Sequence, residues 1–314
     1  MKIFCLLFFI ALGVNKIYAQ SYSELSRSAY NLFASKEYDK SFDIYVRAFK
    51  LNRNKKNDLY FAACAATMAN KVDSAFAFLN SSVNVGWNDL KSLKETEELN
   101  KLHNDNRWDL FLSNSQKKID LVESRYNQPV KKELEHIYGL DQKIRLAYLK
   151  LLEKYNNDTS NVGLDSLKSE LVKTDSLNLQ KVSRILDNYG WLGLDEIGEK
   201  GSLGLTLVIQ HADLKTQKKY LPMMKEAQKS GKVNIGFVTS LEDRIAVTEG
   251  KKQIYGSQLE LNATTKKYYV LPVIEPENLE KRRAAAGLPP MNDYLKQWGL
   301  EWSLDSYYKG IIKK

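Results

Sequence analysis

A 34-residue repetition in the N-terminal third constrains the fold of this chain more than any other feature of its sequence. When the sequence is shifted by one such period, small and apolar side chains coincide without a gap. The coinciding pairs are Leu25 with Leu59, Ala29 with Ala63, Leu32 with Ala66, Tyr38 with Val72, Phe42 with Phe76, Tyr45 with Leu79, Ala48 with Ser82, and Phe49 with Val83. This spacing predicts two antiparallel helices per repeat, in which the small Ala29 and Ala63 let the partner backbone approach closely.

The period and its small residues resemble the tetratricopeptide repeat, a short helical hairpin that recurs along a chain with the same period. The resemblance covers residues 20–114 and includes a degenerate terminal unit over residues 89–113, because terminal repeats cap the core. Three positions depart from the family pattern: Ser41 replaces alanine, Lys36 replaces glycine and Arg53 replaces proline. A generic helical bundle is the alternative fold. The resemblance implies a groove for a peptide or protein partner, although so short an array could instead only brace the C-terminal domain.

Residues 1–19 have the pattern of a signal peptide. Lys2 supplies a positive start, Ile3 to Val14 form an apolar run, and Ala19 is the small residue before a cleavage site. The run is shorter than the roughly 18 residues that a membrane-spanning helix needs, which argues against an uncleaved anchor. No second hydrophobic stretch reaches spanning length, so we expect an exported protein, periplasmic or extracellular, without a stable membrane span.

Cysteine content and charge argue against several other classes of protein. Signal removal would take Cys5 away and leave Cys64, so no internal disulfide can form, and we expect this thiol to be buried and inert. The net charge of +9 is spread over short lysine and arginine clusters without interleaved aromatic residues. We therefore expect no nucleic-acid partner, and we favour a solvated basic surface over attraction to an anionic envelope surface.

The rest of the chain predicts a mainly α-helical protein, in which a C-terminal helical domain carries one small β-hairpin. Residues 115–133 are typical of a helical linker, and residues 134–314 form the C-terminal domain. Alternating residues near 253–274 predict the hairpin. Residues 203–212 fit a helix or a strand, and either spacing places His211 on the same side as apolar neighbours.

Several short polar motifs follow one another in this C-terminal part. They are Asp141-Gln142 with Arg145, Asp175 with Asn178, Gly190-Trp191, Gln210 to Asp213, Asp243-Arg244, Gln253 to Gln258, and Arg282-Arg283 through Gly287-Leu288-Pro289. Their order resembles a bacterial family called domain of unknown function 6624. The resemblance covers about residues 134–298, and Ser257 stands where threonine is commoner. It implies a domain boundary and a set of residues, but the family brings no established activity.

A candidate site can be assembled from these polar residues. His211 suits general acid–base work because histidine titrates near neutral pH. Asp213 or Asp243 would orient it, and Arg244 would bind a carboxylate or phosphate with paired hydrogen bonds. The candidate ligand-binding residues are Asp175, Asn178, Gln210, Gln253, Tyr255 and Gln258. Structural explanations remain open as well: Asp213 as a helix cap, Asp243 with Arg244 as a salt bridge, and His211 as a satisfied core residue.

The sequence gives no signal for a cofactor or a metal. It contains no CxxC, HExxH or GxSxG motif, no phosphate-binding glycine loop and no dinucleotide fingerprint. The segment from His211 to Asp213 supplies at most two metal ligands. We therefore expect neither a cofactor nor a bound metal.

Two functions from different classes are compatible with these features. In the favoured one, an exported non-enzymatic module binds or braces a protein through its repeats and recognises a polar or anionic ligand through its C-terminal domain. In the other, a metal-free hydrolase or transferase acts on a cell-envelope component, with His211 as general base and Arg244 as anion clamp. Both hypotheses require the imidazole, the guanidinium and the phenol of Tyr255 to converge.

Overall fold

A computed structural model describes residues 21–52, 55–155, 162–262, 264–265 and 267–312 of the chain. The expected signal peptide and Arg53 lie outside these residues. The chain divides into two compact units, of which the first ends at Val122 and the second begins at Glu123. Most of the described residues are helical, and the two strands among them form one antiparallel hairpin. The predicted mainly α-helical class is therefore confirmed. Within the described ranges, no helix combines the length and the apolarity that crossing a bilayer requires.

The first unit begins with two helical hairpins that repeat along the chain. Their helices are α1 (Tyr22–Ala34), α2 (Tyr38–Phe49), α3 (Lys56–Met68) and α4 (Val72–Asn84). Thus α3 and α4 begin one sequence period after α1 and α2, respectively. The turn within each hairpin contains a residue with positive φ, Lys36 at 62° and Asn70 at 58°, and these are equivalent positions of the repeat. The repeat pattern has glycine at this position because glycine adopts such a conformation without steric cost.

Small side chains let the helices of the first unit pack closely. Ala29 and Ala63 are completely buried. Ser41, which replaces the alanine of the repeat pattern, is buried too, and its hydroxyl donates a hydrogen bond of 2.8 Å to the carbonyl of Ala29. The departure therefore leaves no unsatisfied hydroxyl. The unit continues with the helices α5 (Leu90–Glu95), α6 (Asn100–His103) and α7 (Trp108–Glu123), whose apolar residues belong to the same core.

Five helices form the larger part of the second unit. They are α8 (Gln128–Lys154), α9 (Asp165–Tyr189), α10 (Leu194–His211), α11 (Leu214–Lys229) and α12 (Ile235–Thr248). Asn127 caps α8 by accepting a hydrogen bond from the N–H of Val130, and Gly190, with φ of 67°, ends α9. Residues 203–211, for which the sequence allowed helix or strand, belong to α10.

Gly204 sets the close packing of α10 against α8. A Cβ atom at this position would lie 2.5 Å from the carbonyl oxygen of Leu134, so the two backbones approach as closely as glycine allows. Buried side chains of the core of this unit include Val130, Leu134, Ile137, Val182, Ile185, Leu205 and Ile209. This packing places His211, the last residue of α10, beside Asp141 in the middle of α8.

The C-terminal part of the second unit holds the β-hairpin and three short helices. Its elements are β1 (Leu259–Leu261), β2 (Tyr268–Val270), α13 (Leu279–Ala285), α14 (Met291–Leu295) and α15 (Leu304–Ile312). The strands pair antiparallel, with Leu259 opposite Val270. They are shorter than the alternation near 253–274 predicts, because residues 254–258 form a loop. A small core of this part contains Val273, Leu279, Met291, Leu295 and Tyr307.

Candidate functional site

Three helices of the second unit bring four charged side chains together, and two of these are absent from the residues selected on sequence. Asp141 and Arg145 lie one turn apart on α8, Asp175 lies on α9, and His211 ends α10. Ion pairs join Arg145 to both carboxylates, and a hydrogen bond joins His211 to Asp141; we call these four residues the charged cluster. The side chain of Asp141 is 2% exposed, whereas the other three are partly open to solvent.

The imidazole of His211 is held by the buried carboxylate of Asp141. Its Nδ1 lies 3.1 Å from Oδ1 of Asp141, within hydrogen-bonding distance. When the neutral ring donates from Nδ1, its Nε2 is an acceptor. Nε2 has no partner among the described residues and is not closed off from solvent. The ring is therefore oriented for proton transfer at Nε2, as in a general base.

Arg145 bridges the two carboxylates of the charged cluster. Its Nε donates to Oδ1 of Asp141 at 3.0 Å, and its Nη2 donates to both oxygens of Asp175 at 2.7 and 2.9 Å. Gln142 donates a further hydrogen bond of 2.8 Å to Oδ2 of Asp141. Burial favours the neutral form of Asp141, but the hydrogen bond and charge of His211 and the charge of Arg145 outweigh it, so the pKa of Asp141 is lowered.

Arg244 on α12 is a half-buried cation without a counter-ion. No acceptor in the described part of the chain bonds to its guanidinium, and its Nε is buried without a partner. Burial and then the positive charge of Arg145 lower the pKa of Arg244. This repulsion places Arg244 within electrostatic reach of the charged cluster. The unpaired guanidinium of Arg244 is itself a local positive charge that an anion would neutralise.

Asp243, the neighbour of Arg244, organises a loop. Its carboxylate is completely buried, and Oδ1 accepts from the N–H groups of Ile254 and Tyr255 at 2.6 and 2.9 Å. Oδ2 accepts from the N–H and the hydroxyl of Ser257, both at 2.9 Å. Four donors satisfy this carboxylate. The structure therefore places Asp243 as the anchor of residues 254–258, and not in a salt bridge with Arg244 or beside His211.

Asp213 caps α11. Its carboxylate accepts a hydrogen bond of 2.8 Å from the N–H of Thr216, and this bond lowers the pKa of Asp213. The carboxylate that orients His211 is instead Asp141, which lies on α8, far earlier in the sequence. In this structure Asp141 has the position that the sequence analysis assigned to Asp213 or Asp243.

Three other candidate residues lie near the β-hairpin. Gln253 is completely buried, and its amide donates to two backbone carbonyls at 3.0 and 2.8 Å and accepts from the N–H of Gln258 at 2.8 Å. Gln258 donates to the carbonyl of Ser240 at 3.2 Å. Tyr255 is half-buried, and burial followed by the charge of Glu242 raises the pKa of its phenol. Among the described contacts, none joins these three side chains to the charged cluster, and none joins Arg244 to His211. The predicted convergence is therefore not seen for the phenol, and for the guanidinium it stays a prediction.

Two candidate amides are buried with one polar atom unpaired. Asn178 lies one turn after Asp175 on α9, is 2% exposed, and has no partner for Nδ2 in the described structure. Gln210 donates to the carbonyl of Phe237 at 2.7 Å, but its Oε1 has no partner there. An unpaired buried amide costs about 1–3 kcal/mol. Each amide can therefore form one more hydrogen bond. Asn178 follows Asp175 on α9, and Gln210 precedes His211 on α10.

The charged cluster also contains three groups that are able to bind a metal ion. One ligand atom each from Asp141, Asp175 and His211 lies within 4.8 Å of the others. However, the guanidinium of Arg145 already binds both carboxylates, so a divalent cation would have to displace it. The arrangement therefore fits a proton-transfer reaction better than a metal ion.

The signal for Asp141 and Arg145 was present in the sequence. Their i, i+4 spacing places an acid and a base on one face of a helix, and both belong to the first motif of the family resemblance. Nothing in the local pattern, however, indicates that α10 returns His211 to this face.

Comparison with known proteins identifies the second unit. Residues 130–305 match the sequence model of a family described as "Family of unknown function (DUF6624)". Neither the curated proteins nor the solved structures contain a match. The match covers more than half of the chain, and it includes every residue of the charged cluster and Arg244. The chain therefore belongs to the family DUF6624.

Proposed function

We propose that the second unit recognises an anionic ligand, with Arg244 as its main anion-binding residue. The observation that carries the proposal is the guanidinium of Arg244, which is half-buried, within reach of the cation Arg145 and unpaired among the described residues. A desolvated charge is costly unless a partner neutralises it. A carboxylate or phosphate would supply that partner through two parallel hydrogen bonds.

His211 completes the site in this proposal. Its Nε2 is open to solvent, and its ring is fixed through Nδ1. A protonated imidazole donates from Nε2 to an anion, whereas a neutral one accepts from a ligand hydroxyl. Asp141 and Asp175 together carry one negative charge more than Arg145 neutralises, so the positive charge that an anion would meet is that of the unpaired Arg244.

Ligand-observed NMR with acetate, citrate, phosphate and glycerol phosphate tests this proposal. For an anion that binds the wild type, Arg244→Ala should weaken binding by about tenfold or more, since it removes a charge-assisted, bidentate contact. Arg184→Ala is the matched control, because Arg184 is 63% exposed and pairs with Glu133 on the surface. Undiminished anion binding by Arg244→Ala, with an unchanged melting temperature, would rule out the site.

One observation favours a second function, acid–base catalysis: the hydrogen bond between His211 and Asp141, which leaves Nε2 available. In this alternative a metal-free hydrolase or transferase acts on a cell-envelope component. Nε2 of His211 removes a proton from the attacking hydroxyl or water, and Arg244 stabilises the anion that forms. Chromogenic esters and phosphoesters are the first substrates to assay. His211→Ala should lower any turnover by about 100-fold or more, and turnover that survives this change would exclude the mechanism.

The location and the protein partner are also part of the proposal. The signal-peptide pattern of residues 1–19 supports export to the periplasm or the medium, and the 34-residue repetition supports binding or bracing of a protein by the first unit. Fractionation of bacteria that produce the tagged chain, followed by N-terminal sequencing, should recover a product that begins at Gln20. Recovery of the full-length chain from the cytoplasm would contradict export.

A further inference from the structure

A cavity of about 200 Å³ lies in the C-terminal part of the second unit. Residues of β2 and Pro272 line it from the hairpin, and residues 300–303 line it together with the first turn of α15. Leu295, which is 1% exposed, forms part of its wall. The lining includes neither Arg244 nor a residue of the charged cluster, so whatever binds here is independent of the proposed anion site.

Aromatic side chains make this cavity suitable for a ring. Trp302 and Tyr307 both line it, and their ring centroids are 4.9 Å apart. The position of Tyr307 is fixed because its Oη accepts a hydrogen bond of 2.6 Å from the N–H of Val273. Tyr268 and Tyr269 add aromatic surface from β2. An engineered apolar cavity of about 150 Å³ holds benzene, so the volume here admits one six-membered ring with a short substituent.

The charge at this cavity is negative and uncompensated. Glu301 lines it, and its carboxylate has no hydrogen bond or ion pair within the part of the chain that the structure describes. The lysines that flank this segment in the sequence, Lys296 and Lys309, are already paired with Asp293 and Asp305, both at 2.6 Å. Because the chain as a whole has a net charge of +9, attraction of a cation here has to be local.

We infer that this cavity binds a small aromatic cation, a single ring that carries an ammonium group on a short chain. The ring occupies the apolar space beside Trp302 and Tyr307, and the ammonium group pairs with Glu301. Burial of the ring supplies most of the affinity, as in other small-molecule sites. The carboxylate supplies discrimination, because it attracts a cation and repels an anion of the same shape.

Isothermal titration calorimetry of the full chain with phenethylamine tests this inference. A dissociation constant on the order of 1 mM is expected for a ligand of this size. The neutral 2-phenylethanol should bind more weakly, and the anionic 3-phenylpropionate more weakly still. Glu301→Gln should weaken phenethylamine binding by about two- to fivefold and leave 2-phenylethanol unaffected, because an exposed ion pair contributes modestly.

Two further variants separate cavity binding from binding elsewhere. Ser306→Phe places a ring at an exposed position that lines the cavity, so it should abolish saturable binding without unfolding the chain. Glu170→Gln removes an exposed carboxylate on α9 and should change nothing. Equal affinities for the three ring compounds, or phenethylamine binding that persists in Ser306→Phe, would overturn the inference, and so would an absence of saturable binding to the wild type.

Discussion

Two arginines of the second unit differ in the hydrogen-bond partners that the fold provides for their guanidinium groups. Arg283 is 2% exposed and donates hydrogen bonds of 2.8 and 2.6 Å to the carbonyls of Pro289 and Tyr255. Its guanidinium also lies 5.1 Å from the ring centroid of Tyr294. Arg244 has no such partners among the described residues. A half-buried guanidinium without a partner does not stabilise the fold, so ligand binding explains Arg244 better than stability does.

Exchange of each arginine for methionine should therefore have opposite effects on stability. Arg244→Met removes an unpaired, desolvated charge and its repulsion with Arg145, so the free energy of unfolding should rise by about 1 kcal/mol. Arg283→Met leaves buried carbonyls without donors and should lower it by about 2–4 kcal/mol. Urea denaturation of both variants at one pH provides the measurement. Comparable destabilisation by the two changes would mean that Arg244 has a structural partner.

The lowered pKa of Asp141 predicts how stability changes with pH. A carboxyl whose pKa is lower in the folded than in the unfolded state stabilises the fold above its unfolded value of about 3.9, and this contribution is lost as the pH falls through the folded value. Asp141→Asn should therefore cost about 2 kcal/mol at pH values above 5 and progressively less below about pH 4. Urea denaturation across this range measures the difference. Asp165→Asn is the control on an exposed pair with Lys168, and a cost of Asp141→Asn that does not change with pH would contradict the assignment.

At the scale of helices and strands, the sequence predicts where an element lies better than it predicts which elements pack against each other. The 34-residue repetition locates α1 to α4, since each repeat carries its own apolar periodicity. Residues 203–212 remained ambiguous because helix and strand spacing both fit, and contact with α8 at Gly204 is not encoded locally. The sequence motifs indicate His211 and Arg244 as candidates. They do not indicate the partner of His211, because Asp141 reaches it only through the packing of α10 on α8.

The contact between α8 and α10 predicts contrasting effects for two glycine-to-alanine changes. At Gly204 the new methyl group would meet the carbonyl of Leu134 at 2.5 Å, so Gly204→Ala should destabilise the fold by about 1–3 kcal/mol and disturb the position of His211. Gly139 lies on α8 with open space where a methyl group would project, so Gly139→Ala should stabilise the fold by about 1 kcal/mol through helix propensity. Chemical denaturation compares the two. An unchanged stability of Gly204→Ala would show that the helices can separate freely.

For the molecule as a whole, the two units have separate hydrophobic cores. The buried cluster of the first unit contains Leu79, and the main cluster of the second contains Leu205. The sequence indicates this division by a change in pattern, because the 34-residue repetition ends before the polar motifs of the DUF6624 family begin. The proposed anion site and the proposed aromatic-cation cavity both lie in the second unit.

Because the cores are separate, a destabilising substitution in one unit should leave the stability of the other unit unchanged. Leu79 is completely buried in the first core, so Leu79→Ala should cost that unit about 2–5 kcal/mol. In a urea titration, the transition of the first unit should move to lower denaturant while that of the second unit stays in place. Trp87 and Trp108 report on the first unit, and Trp191 on the second, so single-tryptophan variants distinguish the transitions. Leu205→Ala should give the reverse result, and one shared transition that moves with either change would show that the two units fold as a single cooperative body.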